Sequence, residues 1–231
     1  MSGQRVYRRF VHREAVFRIW CAEFEAVRGE IVRQRRILEE YIERHGEFRE
    51  ALEPVRLLDD APEVARRMGR AADIVGVGPM AAVAGAMAQM AVEAAMRAGS
   101  DEAIVDNGGD IYVQTRRAVT IGLYTGIEGL DGRLGFVVEA DDTPVAICSS
   151  SGMMGHSFSK GKCDLCTVAA KDASIADAAA TLGANLVQEA GDVDGALEQV
   201  EAIAEVDGVM IVKGDRVGLV GRLPRLVRLQ E

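Results

Sequence analysis

AIVDNGGDIYV, residues 103–113, sets two short arms rich in β-branched residues around Asp106, Asn107, Gly108, Gly109 and Asp110. One reading is a β-hairpin with an Asn-Gly turn. The other is a backbone that approaches a ligand where side chains would obstruct it, flanked by two carboxylates able to accept hydrogen bonds. Both place the segment in a sheet. Further strand-like runs follow at 118–124 (AVTIGLY), 134–140 (LGFVVEA) and 144–148 (PVAIC), separated by turns rich in Gly and Asp. Connections this short imply antiparallel pairing, because a parallel neighbour needs a long crossover.

Upstream, Pro79 suits the first turn of a helix, and the run from Met80 to Arg97 has no other breaker than Gly85. Ala81, Ala82, Ala84, Gly85, Ala86 and Ala88 make this helix small all round, so it is expected to pack closely against a sheet or a ligand. Pro54 and the Asp59-Asp60-Ala61-Pro62 stretch mark a loop between a short helix near 47–53 and another over 62–72. Ile31, Leu38 and Ile42 share one helical face over 30–44, with Arg and Glu on the other side. The patches RVYRRF and AVFRIW within residues 5–28 read as a strand pair.

Downstream, a polar loop at 149–162 precedes an apolar strand at 164–170, helices at 174–190 and 194–204, and a hairpin, GVMIVKGDRVGLVG, turning at Gly214-Asp215. No Pro-rich or Ser-rich linker interrupts the series. The pattern predicts an α+β fold of antiparallel sheets with packed helices, as one domain over residues 1–231.

Charge and composition narrow the function. The chain has 231 residues, 27 Lys and Arg against 36 Asp and Glu, and a net charge of −9. That balance argues against nucleic-acid binding, which needs a basic face. The longest uncharged stretch, 74–92, is mostly Ala, Gly and Met and too weakly apolar to read as a membrane span. The N-terminus carries charge without an apolar core and the cysteines show no disulfide spacing, so a cytoplasmic protein is expected. Small-residue surfaces and apolar strands are compatible with a homodimer.

The loop SSSGMMGHSFSKGK, residues 149–162, is the richest in chemistry. Ser149, Ser150, Ser151, Gly152, Gly155, Ser157, Lys160 and Lys162, with His156, combine hydroxyls, free backbone N–H groups and positive charge, which is what a phosphate or pyrophosphate requires. Asp177 and Thr181 stand four apart in a helix of small residues, so their oxygens share a face and suit one hard cation such as magnesium. Asp177 also lies near the start of that helix, where a carboxylate favours the dipole in any case. Cys163 and Cys166 form CxxC. With strand geometry at 164–170 they face opposite sides, and Cys148, His156, Cys163 and Cys166 fit no common zinc spacing, so these thiols read as packing residues.

NGGDIYV, SSSGMMGHSFSKGKCDLCTVAA and IADAAATLGAN, with VGPMAAVAGAMAQ and EFREALEPV, together resemble the ApbE-like superfamily, most closely a small cytoplasmic branch of it. The landmarks run from about residue 47 to 190. The resemblance implies a fold related to the T-fold and a magnesium-dependent flavin transferase, which binds FAD and moves its FMN half to a threonine of a protein acceptor. It implies FAD contacts at Asn107, Gly108, Gly109 and Asp110, metal ligands at Asp177 and Thr181, and a counterpart of the transferases' His in His156; beside it, His156 and Lys160 are expected to assist as hydrogen-bond donors or in proton transfer. The departures are specific. A Lys-Gly pair of the transferases aligns with Ala84-Gly85, Ser157-Phe158-Ser159 stands where an Asp-Pro segment usually follows the His, and Cys163 and Cys166 replace small apolar residues. A protein that binds flavin or another nucleotide, or assists assembly, without transferase chemistry is the alternative these departures leave open.

Overall fold

The computed structural model describes residues 5–127, 131–152 and 161–229. Its centre is an eight-stranded, wholly antiparallel sheet. The chain contributes β1 (Arg8–His12), β2 (Ala15–Cys21), β3 (Ala103–Asn107), β4 (Asp110–Gln114), β7 (Val145–Ser150), β8 (Leu165–Ala170), β9 (Val206–Lys213) and β10 (Arg216–Gly221), in that spatial order. After β4 it leaves this sheet to make β5 (Val119–Leu123) and β6 (Leu134–Val138), then returns as β7 beside β4. A late strand, β11 (Arg225–Arg228), pairs with β6 and completes a separate three-stranded sheet.

Side-chain alternation along each strand explains the layering. Ala103, Val105, Tyr112, Ala146, Cys148, Val168 and Ile211 face one core, shared with the helices. Their neighbours Ile104, Val113, Ile147, Ala169, Met210 and Val212 face a second core, shared with β5 and β6. The molecule is therefore helices, large sheet and small sheet in three layers.

Helix α1 (Phe24–Arg44) buries Phe24, Val27, Ile31, Gln34, Leu38 and Tyr41, an alternating three-and-four spacing that starts at Phe24. The helix thus starts before the 30 that the sequence spacing suggests, because Phe24 and Val27 extend the stripe of Ile31 and Leu38 toward the N-terminus. After the short α2 (Gly46–Glu50), α3 (Glu63–Val75) ends at Gly76, whose φ of 81° forms a left-handed cap. A 3₁₀ turn, Pro79–Ala82, leads into α4 (Val83–Arg97).

Helix α5 (Ala173–Leu186) is capped by Asp172, whose carboxylate accepts from Ser174 N at 2.8 Å and Ile175 N at 3.3 Å. It stops four residues short of the predicted 190. Val187 is extended and its carbonyl accepts the N–H of Lys162 at 2.8 Å. Helix α6 (Val193–Glu201) packs on β9 and β10, whose hairpin turns at Gly214-Asp215 as the sequence predicts. Among the described residues no single helix is long and apolar enough to cross a membrane.

Candidate functional site

The 84–85 step at the start of α4 is where three distant motifs meet. Gly85 N–H donates to Asp177 Oδ2 at 2.8 Å, across 92 positions of chain. Asn107 Nδ2 donates to the carbonyl of Ala84 at 3.2 Å. Gly85 is the third residue of α4, so its N–H belongs to the first turn, where helical N–H groups lack a partner in their own helix. Asp177 thus caps α4 from another helix. The relation is mutual, since Gln89 Oε1 of α4 accepts the N–H of Ala173, the first residue of α5, at 2.8 Å.

Small residues make this crossing close. A Cβ built on Gly85 would lie 2.1 Å from the carbonyl oxygen of Ala173 and 2.9 Å from Asp177 Cβ. No side chain fits there, so the close approach expected of this small-residue helix is made at Gly85, against another helix. Asp177 lies in the second turn of α5, buried, and the cap of its own helix is Asp172. The exposed helix-dipole role open to Asp177 in the sequence falls to Asp172 instead.

Gly108 and Gly109, with φ of 71° and 109°, form the two-residue turn between β3 and β4, so the turn sits one position later than an Asn-Gly turn would. Asp106 Oδ1 accepts the N–H of Gly109 at 2.9 Å and thereby holds the turn. Asp110 pairs with Cys148 across β4 and β7 and shares the helix-facing side of β4 with Tyr112. Its Oδ1 is buried and has no hydrogen-bond partner among the described residues. Burial, then repulsion from Asp177, pushes the Asp110 carboxyl well above the usual carboxylate range. Burial likewise raises Asp177, to about 7, against the pull of the N–H groups of Gly85 and Ala84. Two buried acids side by side cannot both ionise cheaply.

The serines divide by strand parity. β7 runs through Ser150, so Ser149 shares the face of Ile147, away from the helices, and its hydroxyl hydrogen-bonds Thr167 Oγ1 at 2.9 Å. Ser150 is on the face of Cys148 and Asp110. Ser151 and Gly152 follow, and Gly152 N–H donates to the carbonyl of Cys163 at 2.8 Å, closing the base of the polar segment. A Cβ on Gly152 would meet Gly161 O at 2.1 Å, and one on Gly161 would meet Ala184 O at 1.8 Å, so both glycines are required by backbone contact. The Lys162 side chain is exposed, and its carbonyl accepts from Lys213 Nζ at 2.6 Å. Thr181 is half-buried one turn beyond Asp177. Gly155, His156, Ser157 and Lys160 lie outside the described residues.

Cys148, Cys163 and Cys166 are fully buried, and burial raises each thiol above its ordinary value, Cys163 to about 11. Cys163 Sγ donates to Val212 O at 3.5 Å, while Cys166 Sγ packs on Gly183 of α5. Among the described residues no group of three or more His, Cys, Asp or Glu side chains could hold a metal ion. Replacing Cys163 and Cys166 together by Ala is expected to cost on the order of 1–2 kcal/mol per site through lost packing. Metal content should stay unchanged, and denaturant melts with elemental analysis check both.

A cavity of about 360 Å³ lies elsewhere, between α1, α3 and the C-terminal half of α4. Its walls include Arg33 paired with Glu30, and Arg67 paired with Glu63 and Glu93. These charges already satisfy one another.

Residues 14–208 match a family model described as AbpE bacteria. A UPF0280 protein of Methanopyrus kandleri is 44% identical over 200 residues, covering 84% of this chain and 80% of that one. A UPF0280 protein of Methanothermobacter thermautotrophicus is 43% identical over 203 residues, covering 86% and 78%. Among solved structures, the flavin transferase ApbE of Vibrio cholerae superposes with a TM-score of 0.60 at 14% identity, covering 96% of this chain and 97% of that one. The ApbE protein of Thermotoga maritima gives 0.60 at 12%, covering 97% of each.

Proposed function

Because this chain belongs to the family described as AbpE bacteria, we propose that it is a cytoplasmic, single-domain protein that binds FAD at the start of α4 and transfers the FMN half to an acceptor protein, with magnesium. The observation that carries the reading is the convergence on the 84–85 step. The Asn107–Asp110 turn, the Asp177 helix and the 77–89 motif are far apart in sequence, yet their polar groups bond within one dipeptide.

The donor set suits a hard cation: Asp177 and Thr181 offer oxygen only, and Oδ2 of Asp177 already serves Gly85. A bound magnesium ion would supply charge stabilisation to the pyrophosphate as its bridging bond breaks. The residues of the chain do the rest. Asn107, Gly108 and Gly109 present a turn without bulk toward the nucleotide, and Ser150, Ser151 and Lys162 are assigned to its phosphates, while Gly152, whose N–H is spent on the carbonyl of Cys163, is reassigned to the backbone contact with Gly161. Ser149, bonded to Thr167 on the opposite face, is reassigned to holding β7 on β8. His156, assisted by Lys160, is assigned the proton of the attacking acceptor hydroxyl. That oxygen bonds to the FMN phosphorus, the bond to the AMP phosphate breaks, and AMP leaves.

Calorimetry with FAD, with and without MgCl₂, followed by analysis for FMN and AMP, tests this. FAD should bind, AMP should appear only with magnesium, and Thr181→Val should weaken the magnesium response without abolishing FAD binding. No FAD binding at millimolar concentration would overturn the proposal. Ala84, standing where the transferases carry Lys, favours a second reading: FAD held without turnover. Binding without AMP or FMN release would select it.

A further inference from the structure

We propose that Asp110 is a metal ligand, completing with Asp177 and Thr181 the site of one magnesium-class cation, and is not a hydrogen-bond acceptor for the nucleotide. This rests on the functional reading above and deepens it. Asp110 is 8% exposed, as is Asp177, and its buried Oδ1 has no hydrogen-bond partner among the described residues. An unpaired buried carboxylate oxygen is costly and needs a partner.

The surroundings say what kind of partner. The charged groups that act on Asp110 are the carboxylates of Asp177 and Asp106. Asp106 has its own outlets in Gly109 N–H and Arg18, whereas Asp177 spends one oxygen on Gly85. Asp110 and Asp177 thus face each other across the gap between β4 and α5 with no cation among the described residues to offset them. A dication satisfies the orphaned oxygen and the like-charge repulsion together, and carboxylate, carboxylate and hydroxyl form the all-oxygen set that magnesium takes. The Cys148 thiol and the Ser149 N–H also lie against the Asp110 carboxyl and favour its charged form, but neither hydrogen-bonds Oδ1, and Cys148 Sγ donates to the carbonyl of Ala173 at 3.6 Å. Placing Asp110 on a rigid strand and Asp177 on a rigid helix fixes the distance between the two ligands before a nucleotide arrives.

The test titrates Mn²⁺ into the parent and Asp110→Asn by calorimetry and water-proton relaxation, and separately measures FAD binding in EDTA. Asp110→Asn should weaken Mn²⁺ by at least about tenfold, since even an outer-shell partner of a metal ligand costs that much. FAD affinity in EDTA should stay within about twofold. If Asp110→Asn does not give a native circular dichroism spectrum, Asp110→Ala, which leaves a small void in place of a mismatched amide, is read instead. A variant that binds Mn²⁺ like the parent but loses FAD in EDTA overturns this assignment alone and returns Asp110 to the nucleotide. A parent that binds FAD but no Mn²⁺ overturns the metal site, and one that binds neither overturns the functional reading as well.

Discussion

Asp177→Asn melts above the parent protein in metal-free buffer at pH 8, and the advantage disappears near pH 4. The substitution keeps an oxygen for the N–H of Gly85 and removes a charge that burial disfavours. In the folded chain the Asp177 carboxyl holds its proton up to about 7, against 3.8 ordinarily. Between those values the unfolded chain has released a proton that the folded chain keeps. This group's stabilisation is therefore complete below pH 4, is lost as pH rises through 7, and stays lost above it. The loss is on the order of 2–4 kcal/mol at about 1.4 kcal/mol per pH unit. That corresponds to a melting shift of roughly 4–16 °C for a chain of this size. Added MgCl₂ should raise the parent's melting temperature and leave the variant unmoved. A variant that melts below the parent at pH 8 in EDTA would contradict the electrostatic account. Asp177→Ala behaves differently, because it also strands the N–H of Gly85, at about 1–3 kcal/mol.

Gly85→Ala should destabilise the fold by about 3–5 kcal/mol, combining overpacking with damage to a buried hydrogen bond. The added methyl group meets a carbonyl oxygen of α5 at 2.1 Å, and no rotamer change can move a backbone atom aside. Relief requires α4 and α5 to separate, which stretches the bond from Gly85 to Asp177. The same substitution at Gly29, in the exposed middle of α1 with nothing within 4 Å of the new Cβ, should stabilise by about 0.5–1 kcal/mol. Urea denaturation of the two variants reads both signs. Gly85→Ala with parental stability would mean that the helices pack less tightly than the structure has them.

The strands between 103 and 148 were legible because each is short, β-branched and joined by Gly-Asp turns. Their division into two sheets was not, since residues such as Ile104 and Val105 are buried on opposite faces and look equally apolar in sequence. RLVR, residues 225–228, gives no signal by itself. Its two exposed arginines flank a half-buried pairing with β6 that only long-range contact creates. Residue chemistry singled out Asn107, Asp110, Asp177 and Thr181 as candidates, but not the burial of the helical pair, because α5 is small on every side and shows no preferred face. The fate of Ser149 was readable in principle. Extending the alternation of β7 by two residues turns its hydroxyl away from the helices. The partnership of Gly85 with Asp177 had no local trace at all.

The mutual capping of α4 and α5 also sets an order of assembly. While the chain is being made, α4 emerges with its first-turn N–H groups bare, and the carboxylate that covers Gly85 follows 92 residues later. A helix of this length holds poorly by itself in water, and a closure this long carries its entropy before any contact rewards it. The corner assigned to the nucleotide is thus among the last parts of the molecule to become ordered. A nascent chain interrupted before residue 177 has both walls of the Asn107–Asp110 hairpin and nothing to close against them.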